Sequence, residues 1–176
     1  METTAFVRQT LQQAHVRLRA TCEGLRDEQA RWRPAPRSNS ISFILWHIAR
    51  VEDELVAAET AVPTLWQRHW HARLGHPLDT PSRDEREILL GLELPPLDDL
   101  RAFLDETYSE CRGFLDTLTD PDLDRASRVW PGRPLATSLR HLATHKNNHH
   151  GQVDYLRGLQ DQNWDLPPGT GVVLDD

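Results

Sequence analysis

Cysteine is scarce. Only Cys22 and Cys111 occur in 176 residues, and they form no CxxC pair. That argues against a thiolate zinc cluster and against a thioredoxin-like redox motif. Both fall on apolar helical stripes, where buried, reduced thiols are expected. Long apolar runs are missing too: none approaches the ~20 residues that a membrane-spanning helix needs. The opening METTAFVRQTLQQAH has no apolar segment ahead of a cleavage site, so no secretory leader is expected and the expected location is cytoplasmic, with no membrane partner. Positive charge is outnumbered, with 20 Lys and Arg against 27 Asp and Glu and a formal net charge of -7. Proteins that grip phosphate backbones show the opposite balance. Arg26, Arg31, Arg33 and Arg37 cluster but have acidic neighbours, so no nucleic-acid partner is expected. Alternating strand patterns, internal repeats and low-complexity tracts are also lacking.

What is present reads as a globular chain, with 38% hydrophobic and 27% charged residues. Its length fits one domain over residues 1–176, with an irregular Pro/Gly-rich tail from about 161, DQNWDLPPGTGVVLDD. Four segments carry apolar residues at spacings of three and four. The first holds Val7, Leu11, Ala14, Leu18, Cys22 and Leu25. The second runs from about Ser40 to Ala58 with Ile41, Ile44, Ile48, Val51 and Leu55, and Asn39 or Ser40 is placed to cap it. The third holds Leu97, Leu100, Leu104, Thr107, Cys111, Phe114 and Leu118, between Pro95–Pro96 and Pro121. The fourth holds Leu135, Leu139, Leu142, Val153, Leu156 and Leu159, with Thr137 or Ser138 as candidate caps. Four such stripes predict an all-α helical bundle. The connection from about Glu59 to Pro96 is long for a bundle. It carries Trp66, His69, Trp70, His71, His76 and SRDEREILL, a stretch that fits a short helix.

Histidines interrupt the fourth stripe. HLATHKNNHHGQ contains His141, His145, His149 and His150. Residues four apart share a helix face, so two imidazoles at that spacing can converge on one ion, at about 2.0–2.1 Å if it is zinc. At about 100° per residue, and with Leu142 as the inward reference, His149 lies about 20° away and His145 about 60° away. His150 lies about 80° off on the other side and His141 about 100° off. His145 and His149 are therefore the inward pair, His141 drifts to the boundary and His150 is expected at the surface or rim. A single histidine on an apolar face is more often a hydrogen-bonded core residue than a ligand. Two in one stripe make a metal site the competing explanation. Periodicity leaves the third ligand open, because His47 borders the second stripe and His15 neighbours Leu11 and Leu18 on the first.

Two segments, WRPAPRSNSISFILWHIARVEDEL and HLATHKNNHHGQVDYLRGL, resemble the DinB/YfiT-like superfamily, in particular its DinB-type members. That family pairs an N-S-I-x-x-x-x-W-H-I-A-x-x-E-D-like helix with a later H-x-x-x-H-H-x-G-Q-like helix. The likeness in layout covers nearly the whole chain, although only these two segments are specific. It implies an up-down-down-up four-helix bundle with a long crossover between helices 2 and 3. It also implies a three-histidine site for one divalent metal ion, zinc or nickel, formed by His47, His145 and His149. Asn148 departs from the family, many members of which have a histidine there, at a position that is not normally a ligand. A homodimer is implied as well.

Three imidazoles leave coordination positions open, the arrangement of a catalytic site. The resemblance implies a metal-dependent enzyme of the thiol S-transferase type, acting on small molecules. A low-molecular-weight thiol would be the co-substrate, activated on the metal to attack an electrophile. A hydrolase using metal-activated water and a non-catalytic metal or small-molecule binding protein are the alternatives. Trp46 and Arg50, beside His47, are candidate cofactor-binding residues, and Trp66 or Trp70 in the crossover is a candidate to line the pocket. For each tryptophan, core packing or interface burial is the stronger expectation, and for Arg50 a surface ion pair with Glu54 is. Glu52 and Asp53 are candidates to orient a ligand ring, or are solvated.

Overall fold

The computed structural model describes residues 2–166, and all of its regular structure is helical apart from one isolated bridge between Ala126 and Pro134. The helices are α1 (Thr3–Thr21), α2 (Asp27–Arg31), α3 (Ile41–Thr60), α4 (His71–Arg73), α5 (Arg86–Leu90), α6 (Leu97–Asp116) and α7 (Leu135–Gln160). A π-helical turn at Trp66–Trp70 and a 3-10 turn at Asp120–Asp124 complete them. The four expected stripes became the four long helices, and SRDEREILL supplies α5. None of the described helices is long and apolar enough to cross a membrane. The expected irregular tail is seen as non-helical at 161–166, and its remainder, 167–176, lies outside the described residues.

The described residues form two compact units, 2–24 with 112–166, and 25–111. In the first, α1 packs along α7 and buries Leu11, Ala14 and Leu18, with Leu135, Leu139, Leu142 and Val153 buried on α7. The first turn of α1 has no side-chain cap of its own. Instead Asp120 accepts from the Thr3 and Thr4 amides at 2.9 and 2.8 Å, which hold its carboxyl below the usual range. Pro134 stands at the N-cap of α7, so neither Thr137 nor Ser138 caps it. Ser138 is already inside the helix, where its hydroxyl meets that of Ser127 at 2.8 Å. The bridge that brings Ala126 to Pro134 fixes the helix start upstream of the expected position.

In the second unit Ser40 caps α3 by accepting from the Phe43 amide at 3.2 Å. Asp27 of α2 accepts from the Leu97 amide at 2.7 Å and so starts α6. The crossover is not a loose connection. Trp66 and Trp70 are both buried and pack on Phe103 of α6, with ring centroids 6.2 and 4.9 Å away. The Trp70 indole N–H donates to Glu106 at 2.8 Å. Aromatic burial of this kind supplies much of a small core's stabilisation. Cys22 and Cys111 are buried thiols, neither in a disulfide.

Candidate metal centre

His47 sits on α3, one turn after Phe43, whose ring lies stacked on its own at 6.0 Å and 6°. Its Nδ1 is 2.9 Å from the Ser82 carbonyl oxygen. A carbonyl can only accept, so Nδ1 carries the proton and Nε2 holds the lone pair. The crossover thus fixes the tautomer that a metal ligand needs. Ser82 is itself held, since its hydroxyl donates to Glu54 at 2.9 Å.

His145 and His149 stand one turn apart on α7 with ring centroids 4.4 Å apart, edge to face. His149 Nδ1 faces the Gln152 amide oxygen at 3.1 Å, which again leaves Nε2 as the nitrogen with the lone pair. Burial lowers the His149 pKa, with Gln152 opposing, so the neutral ligand form is favoured. Each of His47, His145 and His149 is half-buried and offers one ligand atom, and these atoms all lie within 4.8 Å of one another. A tetrahedral zinc ion would set such nitrogens about 3.4 Å apart. The donor set fits a divalent borderline ion, with side-chain adjustment of the order of an ångström.

The remaining histidines divide differently from expectation. His150 is not at the rim but buried, with Nε2 2.8 Å from the Thr21 hydroxyl of α1. The helical angle treated α7 as having one narrow inward face. In fact the side turned to α1 carries Lys146 and His150 as well, both buried. His141 does lie at a boundary, half-buried, with its ring 5.0 Å from Trp130. His15 is buried on α1, where burial, then Lys146 and Arg19, push its pKa down to about 3.

The other candidates around His47 lie in the interior. Trp46, Arg50 and Asp53 share one face of α3, and the crossover covers it. Trp46 is fully buried, 6.3 Å from Trp66 edge to face. Arg50 pairs with Glu54 at 3.0 Å, as one expectation had it, but the guanidinium is buried rather than on the surface. It also donates to the Thr80 carbonyl at 3.2 Å and lies over the Trp66 ring at 4.0 Å. Asp53 orients no ligand ring and is not solvated. Its two oxygens accept from the Leu65 and Trp66 amides at 2.7 and 2.8 Å. Burial pushes its carboxyl up to about 6, against those two bonds and Arg50 and Arg68. Glu52 is buried rather than solvated. Sequence reasoning missed Ser82 as the carbonyl that orients His47. A backbone contact 35 residues away leaves no mark in residue type.

The model of the DinB superfamily matches residues 10–153, and the chain belongs to that superfamily. Among solved structures it is similar to a crystal structure described as the conserved protein of a locus from Enterococcus faecalis. That likeness has a TM-score of 0.78 and 24% sequence identity, and it covers 90% of this chain and 97% of the other. At that identity it shows a shared fold. No protein of curated function matches the chain.

Proposed function

We propose that the protein is a metal-dependent enzyme of the thiol S-transferase type, in which His47, His145 and His149 hold one divalent ion, zinc or nickel. The observation that carries this reading is the approach of three imidazole ligand atoms to within 4.8 Å, with both Nδ1 positions of known partner already occupied by carbonyl-type acceptors. Membership of the superfamily supports the up-down-down-up bundle and a homodimer. An ion with open positions lowers the pKa of a bound thiol toward neutrality and so supplies a nucleophile. The chain's own contribution is to hold the His47 and His149 rings in place through Ser82 and Gln152, with His145 one turn from His149, and to present the electrophile beside His47.

The hydrolase reading needs a general base within reach of metal-activated water. Two of the acids after His47 are committed elsewhere, Asp53 to two backbone amides and Glu54 to Arg50 and Ser82. Asp84, on the wall of the cavity that His47 helps to line, is the acid that reading would have to use. The test is turnover of a chlorodinitrobenzene-type electrophile by the zinc- and nickel-loaded protein with a panel of small thiols, beside ester hydrolysis without thiol. Thiol-dependent conjugation that disappears in His145→Ala is expected. Ester turnover with no thiol present would sink the transferase reading.

A further inference from the structure

The chain is acidic as a whole, yet one cavity is not. It has a volume of about 320 Å³, and His47 forms part of its wall. Phe43, Leu89 and Leu90 give it an apolar side, and Arg33, Arg83 and Arg86 bring three guanidiniums against the single carboxylate of Asp84. Elsewhere in the same unit several arginines find acids. Arg37 pairs with Glu87, Arg50 with Glu54, Arg68 with Glu110 and Arg73 with Asp99. Two of the three cavity arginines do not follow that pattern. Arg33 donates to the Ser38 carbonyl at 3.1 Å and Arg86 to the Arg37 carbonyl, and among the described residues neither makes an ion pair. Arg83 approaches only Asp84, at 3.8 Å, with both side chains largely exposed. Asp84 is also held at a φ of 69°, a left-handed backbone that a non-glycine residue seldom adopts.

Guanidiniums carry five N–H donors each, in a fork that matches a planar carboxylate. Three guanidiniums lining one cavity with a single exposed acid leave it net positive, a charge that a bound anion would offset. The volume and the apolar side suit a small organic molecule rather than a bare inorganic ion. We infer that the cavity beside His47 binds an organic carboxylate with a short apolar stretch, and that Arg83 and Arg86 select its charge. This deepens the thiol-transferase reading and rests on it for the site's purpose: the carboxylate belongs to the thiol or the electrophile brought to the three histidines.

The test is calorimetric titration with mercaptosuccinate, with thioglycerol as its uncharged counterpart, against the zinc-loaded wild type and Arg83→Gln/Arg86→Gln. Succinate and inorganic phosphate are titrated into the metal-free protein in parallel. Mercaptosuccinate should bind more tightly than thioglycerol, and the double variant should lose about ten-fold or more of that affinity with its zinc content and thioglycerol binding unchanged. Succinate should bind the metal-free wild type and weaken in the variant, while phosphate should not compete. Equal affinity of the two thiols, an unaffected double variant, or phosphate binding as tightly as succinate would overturn the inference. The succinate arm needs no metal. Arginine-dependent succinate binding in a protein that takes up no zinc would remove the metal reading and leave the anion cavity standing.

Discussion

His149 and His150 are neighbours in sequence with opposite employments. His150 meets the Thr21 hydroxyl, while His149 turns Nδ1 to Gln152 and holds its lone pair on Nε2. His149→Ala should therefore lose the metal. His150→Ala should keep it but lose the about 1–2 kcal/mol of stability that a buried hydrogen bond and its packing supply, and so melt at a lower temperature. Metal content and thermal unfolding of the two variants check both halves. His15 makes a pH prediction. With its folded pKa pushed down to about 3 from an ordinary 6.5, the unfolded chain binds the proton first. The stability that depends on keeping His15 neutral is fully present above pH 6.5 and is lost progressively as pH falls toward 3. Urea midpoints measured from pH 7 to 4 should fall less steeply for His15→Leu than for the wild type. His15→Ala should also leave the metal content unchanged.

At the scale of elements, the face of α3 that carries Trp46, Arg50 and Asp53 fastens the crossover, and the crossover in turn fixes His47 through Ser82. Asp53→Ala strands two buried amides and should cost about 3 kcal/mol. Because the carboxylate holds the turn at Trp66, the variant should also bind metal more weakly, and a zinc titration beside a urea melt would show both effects. Asn at this position keeps one acceptor oxygen and should do less damage. Ser40→Ala should cost about 1 kcal/mol by removing the cap of α3, with metal binding unchanged. The long helices were legible from residue spacing because apolar periodicity is a local property. The crossover's interior was not. Trp66 and Trp70 are aromatic, and aromatic residues line pockets and fill cores alike; only their packing on Phe103 decides between the two. The cap of α7 was misplaced for the same reason, since the Ala126–Pro134 bridge is a non-local constraint that outranks a good capping residue three or four positions on.

For the whole molecule, spacing alone raised His145 and His149, and left His47 and His15 as equals. Kinship supplied the preference for His47. The physical reason periodicity could not supply it is that both histidines border apolar stripes. Which ring nitrogens approach one another depends on three-dimensional placement that no single helix encodes. Metal binding should also register in the stability of the entire fold: zinc at 100 times its dissociation constant adds about 2.7 kcal/mol if only the folded state binds it. The most direct measurement is elemental analysis of the purified, untagged protein beside His47→Ala/His145→Ala. About one equivalent of a divalent transition metal in the wild type and none in the variant is the predicted result. No metal in either, even after incubation with zinc or nickel, would contradict the account and leave three half-buried histidines without an ion.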